Sequence, residues 1–400
     1  MLPKSWSRRP LHEVADVRTG VAKGKTGLID PVKLPYLRVA NVQDNFIDLS
    51  EVKTIEVERH QIDRYSLRAG DILMTEGGDF DKLGRGAVWD GTLDPCLHQN
   101  HVFAVRAKRE LVNPLFLSAL SGSEYGRTYF LSCAKRSTNL ASINSSQLKA
   151  FPVLLPPISE QDRIAHILST WDQAIATSEK LLASSQNQKS ALMRKLLSPK
   201  KKSGGWKAYR LGDLFTERVE GKQDDLPLLS ITRDDGIVLR DSVGRKDTSN
   251  EDKSKYLRIC PGDIGYNTMR MWQGVSALSQ LEGIVSPAYT IIVPNEKIDA
   301  RFAAHMFKLE EIVFTFYRHS QGLVSDTWNL KFEHFRKISV HIPARAEQEH
   351  AVQILTAADD VIHAHKAQIK TLRSEKSALM SQLLTGKRRV RLSADEAEPA

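Results

Sequence analysis

The stretch QKSALMRKLL (188–197) returns 187 positions later as EKSALMSQLL (375–384). Similarity at a fixed distance within one chain decides architecture before any local reading does. Extended outward without a gap, 160–198 lies over 347–385, with Glu160/Glu347, Gln161/Gln348, Ile167/Ile354, Leu168/Leu355, Asp172/Asp359 and Ile175/Ile362 matching. Upstream, FPVLLPP (151–157) corresponds to ISVHIPA (338–344), AGDIL (69–73) to PGDIG (261–265), and LPYL (34–37) to LPLL (226–229). Trp6 and Leu11 open the first half as Trp206 and Leu211 open the second. The chain is therefore a tandem of two units, each a variable domain followed by a better-matched segment.

That matched segment reads as a long helix. Ile164, Leu168, Trp171, Ile175, Leu182, Leu192 and Leu196 fall at steps of four and three once Ser178, Ser185 and Lys189 are counted as polar members of the same seam. The second copy gives Ala351, Leu355, Ala358, Ile362, Ile369, Leu372, Leu379 and Leu383, interrupted by His365 and Lys376. An apolar period of 3.5 residues keeps one seam facing a partner helix, so two matching seams in one chain predict a coiled coil. Repeats related by a two-fold rotation place the helices antiparallel, with one domain at each end. About 39 helical residues extend about 58 Å at 1.5 Å each. Prolines precede each helix, and Ser198-Pro199 and Thr385-Gly386 end them.

The fold class expected is α+β: two similar mixed domains separated by two long antiparallel helices forming a coiled coil, in a pseudo-two-fold tandem repeat. The boundaries read as 1–157 for the first domain, 158–198 for the central helix, 199–205 for a basic, Gly-containing linker, 206–343 for the second domain and 344–386 for the second helix. Residues 387–400, KRRVRLSADEAEPA, turn from basic to acidic without an apolar period and are expected to be disordered.

The bulk numbers narrow the function classes. With 41% hydrophobic and 26% charged residues in 400, the composition is that of a folded multidomain protein. No apolar run is long enough to span a bilayer and the N-terminal stretch lacks the apolar segment of a secretory signal, so a cytoplasmic protein is expected. The three cysteines, Cys96, Cys133 and Cys260, form no CxxC pair. The net charge of +9 is a moderate bias toward polyanions.

Tests for catalysis find no complete motif. GVAKGKTG (20–27) has three residues rather than four between its first glycine and Gly-Lys-Thr, so it is not a phosphate-cradling loop. LPPI (155–158) lacks both the amide or carboxyl side chain and the aromatic ring with which amino-methyltransferases hold a flipped base. In CLHQNH (96–101), Cys96, His98 and His101 lie close, yet no second cluster completes a tetrahedral site, and no metal is expected. What remains is a set of loops that mix cations with amide and aromatic side chains. In the first half these are Lys23, Lys25, Arg85, His98, Gln99, Asn100, Lys135, Arg136 and Asn139. In the second they are Arg270, Trp272, Gln273, Arg318, His319, Gln321 and Trp328. Arginine bridges guanine, asparagine or glutamine bridges adenine, and lysine holds phosphate, so both sets are candidate DNA contacts.

LPPISEQDRIAHILSTWDQAI (155–175), the twice-written KSALM block, TEGGDFDKLGRGAVWDG (75–91) with CLHQNH, and GDIGYNTMRMWQG (262–274) with GIVSPAY (283–289) together resemble the DNA specificity subunits of type I restriction-modification systems. The resemblance covers nearly the whole chain. It implies two target-recognition domains, each reading one half of a split DNA site, and two helices that fix the gap between the halves. It further implies no catalysis and no cofactor in this chain. Two copies of a methyltransferase (M) subunit using S-adenosylmethionine would dock on the helices, and motor-nuclease (R) subunits using ATP and Mg would join them. The second unit writes IPARAEQ where the first writes LPPISEQ, so its docking contacts are expected to differ in detail. A stand-alone DNA-modifying enzyme with a divergent active site is the alternative.

Overall fold

The computed structural model describes residues 2–24, 26–78, 83–84, 86–136, 141–199, 205–221, 223, 225–232, 236–242, 252–324 and 327–391. The longer helices are α1 (Pro114–Gly122), α2 (Glu124–Cys133), α3 (Ile158–Leu197), α4 (Ala300–Met306), α5 (Glu310–His319) and α6 (Arg345–Leu383). Of these, α3 with 40 residues and α6 with 39 are the repeated segments. The chain divides into two compact units, Met1–Glu179 with Ala367–Ala400, and Lys180–Lys366. Each unit therefore holds one variable domain, part of α3 and part of α6.

In the first unit the opening half of α3 runs antiparallel to the closing part of α6. Asp172 pairs with Lys376 at 2.5 Å and Glu179 with Arg373 at 2.6 Å, so the numbering rises on one helix as it falls on the other. The seam read from the sequence is the covered side. Ile164, Leu168, Ser178, Ile369, Lys376 and Leu383 are buried, while Trp171, Ile175, Leu372 and Leu379 are half-buried. In the second unit Ala351, Leu355 and Ile362 are buried and Leu182, Ser185, Lys189, Leu192, Leu196, Ala358 and His365 are half-buried. There Lys189 reaches Asp359 at 2.5 Å, repeating the Lys376–Asp172 pair residue for residue. The lysine of KSALM is thus a polar member of the seam in both copies, and its partner is the matched aspartate.

The domain of the first unit is built on a four-stranded antiparallel sheet in the order Ala15–Thr19, Val102–Ala107, Ile72–Thr75, Gly86–Val88. A second, three-stranded sheet orders Lys53–Glu58, Pro31–Leu37 and Leu97–His98, the last pairing parallel. Ser7–Pro10 pairs with Pro152–Leu155, the strand that leads into α3. The second unit repeats the four-stranded sheet as Phe215–Glu217, Tyr289–Pro294, Ile264–Asn267 and Ser276–Leu278, and repeats the lead-in pair as Lys207–Arg210 with Ser339–Ile342. The fold is α+β in both.

Each core is closed by its own long-helix residues. Phe103, Phe116, Phe130 and Phe151 pack with Ile164 and Leu168 in the first unit, and Phe215, Phe302, Phe307, Phe316 and Phe335 with Leu197 and Leu355 in the second. A buried glutamine fixes the angle at which the long helix meets the domain. Gln161 accepts from the Asn113 amide at 2.9 Å and donates to the carbonyls of Leu111 and Pro156. Asn113 in turn caps α1, its side chain accepting from the amides of Leu115 and Phe116. In the second unit Gln348 accepts from Asp299, the cap of α4, and donates to Lys297 and Pro343. Both polar atoms of each glutamine side chain are engaged within the chain, which accounts for the repeated glutamine.

The neighbouring Glu160 and Glu347 differ. Glu160 is buried, accepting from the Trp6 indole at 3.0 Å and from both Nε and a terminal nitrogen of Arg389. Glu347 is exposed. Arg389 corrects the expectation of disorder from residue 387 onward. A buried carboxylate needs a cation, and the basic run supplies it, while Val390 packs against the core and Gly386 lies beside Pro3 and Trp6. Residues 392–400 lie outside the described residues. Among the described residues no helix is long and apolar enough to cross a membrane.

Candidate nucleic-acid interface

Within the first unit, the sheet strand Ile72–Thr75 runs out into a small ribbon. The Glu76 amide donates to the His101 carbonyl at 3.0 Å, and the Ile143 amide donates to the Glu76 carbonyl at 2.8 Å. Gly77–Gly78 pairs with Ala141–Ser142, which pairs with Lys135–Arg136. Glycine is required at 77, where a Cβ would stand 2.8 Å from the Ala141 carbonyl oxygen. The ribbon carries Lys135 into solvent, and the His101 ring, held by Glu76 at 2.5 Å, stands at its base beside Asn100. A second loop reaches the same strand end. Val21 bridges Gln99, the Asn100 amide donates to the Val21 carbonyl, and Gly20 packs directly on the His98 carbonyl. That loop exposes Lys23, whose ammonium stands 5.9 Å from the centre of the Tyr36 ring.

The first-half candidates thus divide. Lys23, Gln99, Asn100 and Lys135 lie on adjoining loops. Lys25, Arg85 and Asn139 lie outside the described residues, and Arg136 is placed by its backbone alone. His98 is a correction. Its ring is 1% exposed, Nδ1 donates to the Tyr65 carbonyl at 3.2 Å, and burial pushes its pKa down to about 4. A buried neutral imidazole bound to the Tyr65 carbonyl is a core side chain and cannot reach a base edge. Cys96 is equally internal, its thiol pushed up to about 12 by burial.

The second unit builds the same edge from different side chains. The Thr268 amide donates to the Ala288 carbonyl at 3.0 Å and the Leu330 amide to the Thr268 carbonyl at 2.8 Å, repeating the Glu76 pattern. Gln321 and Asn329 exchange backbone hydrogen bonds at 2.8 Å each, closing a hairpin after α5. Trp328 on that hairpin meets Trp272 at 5.2 Å between ring centres, edge to face, and Tyr317 of α5 at 4.9 Å. The Trp272 indole donates to the Met269 carbonyl. One loop therefore presents Arg270, Trp272 and Gln273, and the other presents Arg318, His319, Gln321 and Trp328. The His319 ring is half-buried and donates back to the Thr315 carbonyl at 2.8 Å, which leaves it the least available of the set.

Sequence reasoning missed three members. Glu76 pairs with a histidine 25 positions away, and no local pattern announces it. Phe314 and Tyr317 are 59% and 40% exposed, with rings stacked 5.9 Å apart. Their signal was available, since three-residue spacing puts them on one side of α5 while Phe316 is fully buried on the other.

Comparison with known proteins adds three findings. The model of the type I restriction modification DNA specificity domain matches residues 3–184. The putative type I restriction enzyme MjaX specificity subunit of Methanocaldococcus jannaschii is 26% identical over 421 residues, covering 98% of this chain and 95% of that one. Among solved structures, a chain from an assembly of a type I restriction-modification system shares the fold, with a TM-score of 0.60 at 18% identity over 97% of this chain and 100% of that one. The domain match lies on the first unit, the end-to-end relative spans both units, and the twice-built edge and twice-written seam are common to the two halves. Over residues 3–184 the chain matches the type I restriction modification DNA specificity domain, and from end to end it is similar to a type I restriction enzyme specificity subunit.

Proposed function

We propose that this chain is the non-catalytic sequence-recognition subunit of a type I restriction-modification complex, in which each domain reads one half of a bipartite duplex site. The observation that carries the reading is the repeated edge. The same backbone bonds at Glu76 and Thr268 hold loops with different side chains, Lys135 and Asn100 in one unit and Arg270, Gln273 and Arg318 in the other. A common scaffold with divergent reading groups is what two different half-sites require. The paired helices set the gap between the half-sites.

The helices also supply the docking faces for two methyltransferase subunits, which bring S-adenosylmethionine; motor-nuclease subunits bring ATP and Mg. Each unit has a cleft against its long helices, of about 830 Å³ in the first and about 480 Å³ in the second. Ala165 and Ser169 line the first, and their repeat partners Val352 and Thr356 line the second. A surface written twice fits two copies of one partner.

The test is site selection from random duplex DNA by the assembled complex. Exchanging residues 1–157 for those of another specificity subunit is expected to change one half-site and leave the gap and the other half unchanged. Changes in both halves, or methyl transfer by this chain without any partner, would overturn the reading.

A further inference from the structure

The second unit carries a run of aromatic rings on the exposed side of α5, whereas the run in the first unit, Tyr125, Phe151, Phe130 and Tyr129, packs on its core. Phe314 stacks on Tyr317, Tyr317 meets Trp328 edge-on, and Trp328 meets Trp272, so four rings extend from open solvent on α5 to the loop edge. The caps Asn113 and Asp299 and the buried Phe130 and Phe316 align α2 with α5, which puts Thr128 and Leu131 where the second unit has Phe314 and Tyr317. The aromatic side of α5 is therefore particular to one half of the molecule. Among the described residues nothing in its own unit covers it. Core packing is served by Phe316 on the opposite side, and Glu310 and Glu311 at the helix start bond to Arg194 and Ser198.

The rim identifies the occupant. Arg318 and Arg270 are exposed and form no ion pair among the described residues, whereas Arg218 and Arg258 of the same unit are tied to carboxylates. Aromatic surface beside unpaired guanidinium groups fits a polyanion with apolar features, which describes DNA. The rings hold one another at 4.9 to 5.9 Å between centres. Each ring is braced by its neighbour, so the four form one connected surface and not a single projecting wedge, which suits contact with groove edges. The apolar group on the major-groove edges is the 5-methyl of thymine.

We infer that the second domain reads A·T pairs by contact of Phe314 and Tyr317 with thymine 5-methyl groups, with Arg318 and Arg270 on the flanking phosphates. This rests on the DNA-recognition reading above and specifies its chemistry for one half-site.

The experiment uses the full chain assembled with its methyltransferase subunits. Each thymine of the selected site is replaced in turn by uracil, which removes the methyl and keeps the pairing. Uracil is expected to weaken binding about fourfold per contacted methyl, at positions within one half-site. The double variant F314A/Y317A should bind thymine and uracil duplexes equally at those positions and keep the other half-site's preference. Both side chains are exposed, so the variant should retain the parent's thermal midpoint. Equal affinity for thymine and uracil throughout the half-site that depends on Phe314 and Tyr317 would overturn the inference. So would loss of the methyltransferase subunits from the variant, which would mark a protein-docking face. A parent complex with no preferred site would instead overturn the recognition reading itself.

Discussion

The two lysine–aspartate pairs in the helix seam allow a quantitative test of what the repeated KSALM block does. Consider Asp172→Asn in the first unit. The Lys376 side chain is 11% exposed and its partner Asp172 is 48% exposed, at 2.5 Å. Breaking a fully buried pair from one side costs about 3–5 kcal/mol, because the remaining charge is stranded, whereas an exposed pair contributes about 0–1 kcal/mol. With one partner buried and the other half in water, the expected loss is about 2 kcal/mol. Lys376→Met should behave differently, since it removes the stranded charge and places an apolar side chain in an apolar seam. Its expected cost is near zero, or a small gain.

The asymmetry between the two partners is the diagnostic feature. Urea unfolding, with hydrogen exchange reporting the α6 amides, gives both values and the coupling energy of the double variant. The charge-swapped pair D172K/K376D should recover part of the loss. The same series at Asp359 and Lys189 should repeat the ordering, because that pair is also partly buried, at 28% and 20% exposure. If Asp172→Asn were neutral while Lys376→Met cost about 3 kcal/mol or more, the lysine would act through its stem and the ion-pair argument would fall.

Buried groups supply two further outcomes. His98 and His305 both have pKa values pushed from 6.5 down to about 4, in each case mainly by burial, with Lys189 adding to the effect at His305. Below pH 6.5 the unfolded chain takes up protons that the folded chain refuses, so stability should fall between pH 6.5 and 4, by about 3 kcal/mol for His98; thermal melts of His98→Asn should show a flatter profile over that window, and an unchanged slope would refute this. Arg389→Ala strands the buried Glu160, with an expected loss of about 3 kcal/mol, measured by chemical denaturation; ending the chain after Gly386 should lose at least as much, since the packing of Val390 goes with it, and an Arg389→Ala midpoint equal to the parent's would show that Trp6 alone satisfies the carboxylate.

The helix pair was legible because a coiled-coil seam is one-dimensional. Its period, its polar interruptions at Lys189 and Lys376, and its duplication all lie in order along the sequence, and those residues sit on the covered side. The partner of each lysine was not legible, although Asp172/Asp359 stands among the repeat matches; a cross-helix pair can be assigned only once register is known. The candidate loops were legible in part for the opposite reason. Loop composition gathered Arg270, Trp272, Gln273, Arg318 and Trp328, but composition carries no direction. His98 has the same letters around it as Gln99 and Asn100, yet it ends the buried run Cys96–His98, with its ring bonded to the Tyr65 carbonyl. The order of the tail was hidden because its anchor, Glu160, lies 229 positions away.

These differences bear on how such a chain can acquire a new target. Residues written twice are committed to intramolecular bonds: Gln161 and Gln348 to the caps of α1 and α4, Lys189 and Lys376 to the seam. Substituting either glutamine, or the aspartate partner of either lysine, leaves a buried donor, acceptor or charge without a partner, which costs stability. The side chains that differ between the units stand instead on loops whose backbone bonds, from Glu76 or Thr268, do not depend on side-chain identity. Lys135 and Phe314 are exposed and sit on scaffolds held by backbone or by buried neighbours. New side chains at those positions can therefore be accommodated at small cost to the fold. On the proposed reading, specificity resides where the two halves disagree, and assembly where they agree.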